Sequence, residues 1–216
     1  MERTIQFQKD ASVLTANGQQ FGTLERVVLN PENKVVTDIV VRTGTLFNKA
    51  DKVVPVEYVV ETTESQVVLS NEAGELGAFP PFEERHLVSE SMDAPQNPDE
   101  VPPVVYGSPG FGSMLVPAPG EQLVTQIEQN IPAGTVAMKE GAKVISADGK
   151  HVGNVERVLA DPSVAQVTHL VISQGLFTKA SKLIPINHVM TVGEDTVHLR
   201  VKRVSVQDVD TTPIAG

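Results

Sequence analysis

Short β-branched runs separated by turn dipeptides set the rhythm of this chain. Thr37-Asp38-Ile39-Val40-Val41-Arg42 and Thr168-His169-Leu170-Val171-Ile172-Ser173 have strand length and a composition that fits a pleated, half-buried surface. Val67-Val68-Leu69 and Val197-His198-Leu199 supply a closing strand to each set, after Glu64-Ser65 and Glu194-Asp195. Between strands stand Asn17-Gly18 and Asp148-Gly149, where a type I′ turn needs positive φ at both central residues. Asn30-Pro31 and Asp161-Pro162 mark second turns, with proline pre-setting φ. Proline cannot donate to a ladder, so Pro55 and Pro185 belong at an edge or a bulge. The pattern predicts an all-β fold of small barrels, with roughly five or six short strands in each and turns every 8–12 residues or so. Closure would also remove exposed strand edges.

The two sets are one pattern used twice. Ala16-Asn17-Gly18-Gln19-Gln20-Phe21-Gly22-Thr23-Leu24-Glu25-Arg26-Val27 recurs as Ala147-Asp148-Gly149-Lys150-His151-Val152-Gly153-Asn154-Val155-Glu156-Arg157-Val158, an offset of 149 − 18 = 131. The match runs on through Pro31/Pro162, Thr37/Thr168, Val40/Val171 and Gly44/Gly175. One residue then drops out of the second copy. At an offset of 130 it resumes with Phe47/Phe177, Lys49/Lys179, Ala50/Ala180, Lys52/Lys182, Pro55/Pro185 and Val59/Val189. A match that survives a deletion marks a duplicated domain, with the extra residue, Thr45, expected in a loop. This divides the chain into modules at residues 1–74 and 136–204, a linker at 75–135 and a flexible tail at 205–216. A domain of about 75 residues buries only about 60% of its unfolded surface, so contact between copies, as an intramolecular pseudo-dimer or a homodimer, would add stability. Gly22 and Gly153 fall inside strand patterns, where glycine marks tight curvature or close backbone approach more often than a ligand contact.

The linker differs in composition, with ten of the fifteen prolines. Residues 101–120 carry no charge but hold five prolines and four glycines, which excludes a membrane-spanning helix and predicts a polyproline-like or coil segment. Phe79-Pro80-Pro81-Phe82 is placed to pack back on the first module. Leu123, Ile127 and Ile131 stand at i, i+4 and i+8, which predicts either a short amphipathic helix over 121–131 or an extended segment touching the second module. Charge is concentrated here. Residues 1–74 carry 7 basic and 10 acidic groups, 75–135 carry 1 and 9, and 136–216 carry 9 and 8, for the net −10. An acidic chain without a basic stripe argues against direct nucleic-acid binding. The chain has no cysteine, which excludes disulfides and thiolate metal sites and fits a cytoplasmic location.

No nucleophile or phosphate-loop motif is present: Gly107-Ser108-Pro109-Gly110-Phe111-Gly112 does not link a strand to a helix. None of His86, His151, His169, His188 and His198 has a second histidine three or four residues away, so no catalytic, cofactor-binding or metal-ligating set is assigned. Glu25-Arg26 and Glu156-Arg157 recur at matching positions, readable as cross-strand ion pairs or as repeated docking contacts. Phe47, Lys49 and Lys52 recur as Phe177, Lys179 and Lys182, an aromatic flanked by lysines that suits an acidic protein surface or lipid headgroups and allows peripheral membrane contact. Asp38 and His169 hold equivalent positions. A pseudo-two-fold axis through their strand would bring them together and raise the histidine pKa.

The turn glycine, hydrophobic-Gly-x-hydrophobic-Glu-x-Val, the Asn/Asp-Pro turn, the valine-rich strand and Lys-x-hydrophobic-hydrophobic-Pro-hydrophobic together resemble the PRC-barrel family, over about residues 11–70 and 140–200. The resemblance implies two small β-barrels of a type shared with the cytoplasmic domain of the photosynthetic reaction-centre H subunit and the C-terminal domain of the ribosome-maturation factor. It implies a docking role and brings no catalytic residue. The expected function is that of a non-enzymatic adaptor for an unidentified protein partner. The alternatives are an accessory factor in photosynthetic-membrane or ribosome assembly and a small-ligand or metal-binding module.

Overall fold

A computed structural model describes residues 4–45, 48–71, 79–91, 121–174 and 180–203. The described residues are almost entirely strands, sixteen in chain order. β1 (Ile5–Gln8) precedes the first module, which comprises β2 (Ser12–Thr15), β3 (Gln20–Leu29), β4 (Val36–Thr45), β5 (Asn48–Pro55), β6 (Val59–Thr62) and β7 (Gln66–Leu69). After β8 (Glu83–Ser91), β9 (Glu121–Gln129) and β10 (Val136–Lys139) comes the second module. It comprises β11 (Lys143–Ile145), β12 (His151–Ala160), β13 (Val167–Gln174), β14 (Ala180–Pro185), β15 (Val189–Val192) and β16 (Thr196–Leu199).

The modules repeat each other strand for strand. The first runs β5-β4-β3-β2-β7-β6 and the second β14-β13-β12-β11-β16-β15. Both contain one parallel pair, β2 with β7 and β11 with β16, within otherwise antiparallel sheets. Pro55 and Pro185 end the outer strands β5 and β14, and each leads into a 3-10 turn, Val56–Tyr58 or Ile186–His188. Gly18 and Gly149 have φ of +76° and +74°, but Asn17 and Asp148 do not have positive φ, so the turns are not the type I′ expected. Each glycine N–H donates to the carbonyl three residues back, Thr15 or Ser146, and the glycine alone takes the left-handed position. The extra residue Thr45 is not in a loop: it is the last residue of β4, paired with Asn48, so it lengthens the hairpin ladder.

The interior glycines mark close backbone approach. A Cβ on Gly22 would clash with the Arg42 carbonyl oxygen, and one on Gly153 would lie 2.5 Å from that of Ser173. Beside each glycine the ladder slips register, between Val13 and Leu14 and between Val144 and Ile145, which bends the long strand.

Neither sheet closes on itself by pairing among the described strands, in contrast to the closure expected. In the first module the β5 edge is covered instead. Val53 N–H donates to the Pro80 carbonyl (3.0 Å) and Phe82 N–H to the Asp51 carbonyl (2.7 Å). Phe82 is thereby buried with Val28, Val40, Val53 and Ala137, while Phe79 packs edge-on against Phe21 and Tyr58. Covering an edge prevents unwanted strand addition as closure would.

The modules exchange strands. β1, which leads into the first module, pairs with β12 of the second, and β10, which leads into the second, pairs with β3 of the first. The registers are the same under the 131-residue offset: Ile5↔Ala160 matches Val136↔Leu29, and Gln8↔Arg157 matches Lys139↔Arg26. Each module thus becomes a seven-stranded sheet only with its neighbour's strand. Phe7 and Met138, the equivalent exchanged side chains, are both buried in one core that contains Leu24, Val27, Ile39, Val155, Leu170 and Ile172.

β8 and β9 form a separate two-stranded antiparallel unit, in register from Glu83↔Gln129 to Ser91↔Glu121. Residues 121–129 are therefore extended, not helical. A spacing of i, i+4, i+8 keeps residues on one face in a strand as in a helix, because four is a multiple of two. The β-branched Val124, Thr125 and Ile127 favour the strand.

Candidate functional site

The seam between the modules brings together backbone and charged groups from both copies. It is centred on Val35 and Gln166, equivalent residues that bridge each other antiparallel. Val36 N–H donates to the Ala165 carbonyl (2.9 Å) and Val167 N–H to the Lys34 carbonyl (2.8 Å), two bonds related by the same offset. Lys34 and Ala165 have positive φ, +60° and +52°, and turn both chains into this contact.

The repeated Glu-Arg dipeptide divides its labour across the seam. Neighbours on a strand face opposite ways. The glutamates stay at home: Glu25 pairs with Arg42 of its own module (2.9 Å) and Glu156 accepts from the Ser181 hydroxyl (2.9 Å). The arginines cross over. Arg26 reaches Glu194 (3.4 Å) and Arg157 reaches Glu64 (2.9 Å), again equivalent pairs. Both arginine side chains are nearly buried, at 12% and 11% exposed, whereas their glutamates are 41% and 59% exposed. Arg26 also donates to the Ala137 carbonyl and lies 4.8 Å above the Phe82 ring, and Arg157 donates to Gln6 Oε1 (3.0 Å). Each arginine therefore clamps the exchanged strand that lies against it.

Glu140 breaks the symmetry. It follows β10 where Lys9 follows β1, its Oε2 accepts from Asp10 N–H (2.7 Å), and its Oε1 is buried without a hydrogen bond. Burial, reinforced by the nearby negative charges of Asp10 and Glu25, pushes its pKa up to about 8 against the opposing Asp10 N–H and Lys9. The carboxyl is held largely protonated at neutral pH.

The residues marked in the sequence fall elsewhere. Asp38 and His169 are not brought together. The axis passes through Val35 and Gln166, and the antiparallel strands diverge from it, so equivalents three residues on are separated by about 20 Å along the strand direction. Asp38 is 6% exposed, with Oδ2 buried and unpartnered. Burial raises its pKa, against the neighbouring Thr37 hydroxyl and with the help of Glu57. Burial lowers the His169 pKa, the opposite of the rise expected from a neighbouring aspartate. Lys52 holds the covering segment through its ammonium, which donates to the Phe79 carbonyl (2.8 Å). Lys49 is exposed near the β4–β5 tip, and Lys182 is half-buried on β14, opposite Ile172. Phe47, Phe177 and Lys179 lie outside the described residues.

An open cleft of about 420 Å³ lies beside β1, lined by Thr4, Ile5, Val59, Val60, Glu61, Thr62 and Pro162. Val60 is 61% exposed there, and its equivalent in the second module, Met190, is 53% exposed. Among the described residues no group of three or more His, Asp or Glu side chains could hold a metal, and no helix is long and apolar enough to cross a membrane. The seam was signalled in the sequence only by the recurrence of Glu-Arg. Nothing local showed that the arginines would reach a different module.

Residues 140–205 match the PRC-barrel domain family. No curated protein matches the chain. The first module repeats the strand order and registers of the matched one.

Proposed function

We propose that this chain, which carries a PRC-barrel domain at residues 140–205 and the same fold again in its first module, is a non-enzymatic adaptor. It would hold protein partners on two equivalent faces of one rigid body. The observation that supports this is the reciprocal exchange of β1 and β10. Each module lends a strand to the other, so the two cannot separate without unpairing, and the geometry between equivalent surfaces is fixed. Val60 and Met190 are large exposed apolar side chains at equivalent positions on outer strands, and the first borders the cleft. A rigid pair of like faces binds a two-fold or repetitive partner with a gain in effective concentration that separate modules lack.

The test is affinity purification with chemical crosslinking from the native cell, using the full chain and a Val60→Asp/Met190→Asp variant. A partner crosslinked near β6 or β15 and lost with the double variant supports the reading. A partner retained equally by both forms, or a co-purifying metabolite in place of a protein, overturns it.

A further inference from the structure

The faces that carry Val60 and Met190 are alike in fold and unlike in charge. Beside Val60 stand the exposed Glu57 and Glu61, with Asp161 next to the Pro162 of the cleft wall. Their equivalents beside Met190 are the neutral Asn187, Thr191 and Asn30. The second face has instead Arg200 and Lys34, which replace Ser70 and Ala165 of the first, while Glu32 in place of Ser163 offsets part of that charge. The exposed Arg200 donates from its guanidinium to the Val189 carbonyl (3.3 Å), which fixes it next to Met190. Lys34 lies near it: burial first and the Arg200 charge second lower the lysine pKa. The apolar parts also differ. Val60 borders the open cleft with Ile5, Val59 and Pro162, and Val164, 59% exposed, extends the apolar surface of that turn where the other turn has Asn33. Met190 is a long unbranched side chain, of the kind that adapts to an irregular gap.

We propose that the acidic Val60 face of one copy of this chain docks the cationic Met190 face of a second copy, head to tail, with Met190 in the cleft. The proposal rests on the reading of Val60 and Met190 as docking faces and names the occupant as the chain itself. Charge complementarity selects that occupant and that orientation. Glu57, Glu61 and Asp161 meet Arg200 and Lys34, whereas two Val60 faces, or two Met190 faces, would set like charges against each other. A contact between unlike faces leaves one face of each kind open on every pair, so it continues to further copies. The exchange of β1 and β10 fixes the two faces relative to each other, so each added copy repeats the same geometry.

Sedimentation velocity on the full chain tests it, with Val60→Asp, Met190→Asp and Arg200→Glu as separate variants, each first shown to keep the wild-type urea midpoint. The wild-type sedimentation coefficient should rise with protein concentration. Its apparent Kd should weaken at least about tenfold from about 0.1 M to about 1 M salt, as the Debye length falls from about 10 to about 3 Å. Each variant alone should stay monomeric. An equal mixture of Val60→Asp and Met190→Asp should form a dimer and stop there, because one supplies only the Met190 face and the other only the Val60 face. A wild-type chain that stays monomeric overturns the proposal and leaves the adaptor reading to its own crosslinking test. Association retained by either apolar variant alone, or a mixture of the two that forms no dimer, overturns it as well, since the contact would then not join unlike faces.

Discussion

Val35 and Gln166 stand 131 residues apart in the sequence and bridge each other across the seam, so the axis relating the two modules runs through this pair. Such a contact between equivalent residues is what a two-fold interface requires. Here it lies within one chain, with an exchanged strand on either side. The arrangement is that of a strand-swapped dimer whose two subunits are covalently joined.

Phe7 provides the most direct test of the exchange. Its side chain is 2% exposed in the shared core, and among the described strands β1 pairs only with β12. Phe7→Ala should lower stability by about 3–5 kcal/mol in urea unfolding. Hydrogen exchange should quicken along β12, in the second module, although the substitution precedes the first. Increased exchange confined to the first module would contradict the strand assignment.

The crossing arginines separate packing from charge. Glu64→Gln removes the ion pair with Arg157 but leaves an exposed site, so the cost should stay below about 1 kcal/mol. Arg157→Ala also strips a nearly buried stem and the donor to Gln6, and should cost on the order of 2 kcal/mol. Arg26→Ala should cost more again, since the contact with Phe82 is lost as well. Denaturant unfolding at low and high salt checks the order. Only the Glu64→Gln cost should shrink with salt.

Glu140 makes stability pH-dependent with a definite sign. Its folded pKa is raised from 4.5 to about 8, so the folded state binds the extra proton between those values. Stability is highest on the acid side and falls as pH rises from about 4.5 to about 8, by on the order of a few kcal/mol in all. Glu140→Gln should flatten that limb and raise stability at pH 8, as read by urea midpoints from pH 5 to 9. Asp38→Asn should act in the same direction, because burial also raises that carboxyl. An unchanged slope in Glu140→Gln would rule out this carboxyl as its source.

The glycines of the turn and of the bend should respond differently to alanine. At Gly18 a Cβ meets open space, and only the φ of +76° opposes it, for a cost of about 1 kcal/mol. At Gly153 a Cβ meets the Ser173 carbonyl at 2.5 Å and φ is +154°, and the cost should reach about 3 kcal/mol or more. Thermal or urea unfolding of the two variants checks the difference.

Much of this protein was determined by the sequence on its own. The gapped repeat, the turn dipeptides and the β-branched runs specify two similar all-β modules. These are local signals: positive φ at Gly18 and Gly149, and the lack of an N–H at Pro55 and Pro185, hold whatever the rest of the chain does. Leu123 and Ile127 show where local signals end, because their four-residue spacing fits a strand as well as a helix, and pairing with β8 makes them a strand. Which module a strand joins is likewise not a local property. Ile5–Gln8 and Val136–Lys139 are short apolar-polar runs that carry no local mark of the sheet they join, and they pair across the seam in equivalent registers. The tertiary structure decided it, through the positive φ at Lys34 and Ala165 that brings Val35 to Gln166 and through Phe7 and Met138 filling one shared core. The same packing sends Asp38 and His169 apart and brings Arg26 to Glu194, since the position of the axis relative to a residue sets which equivalents meet.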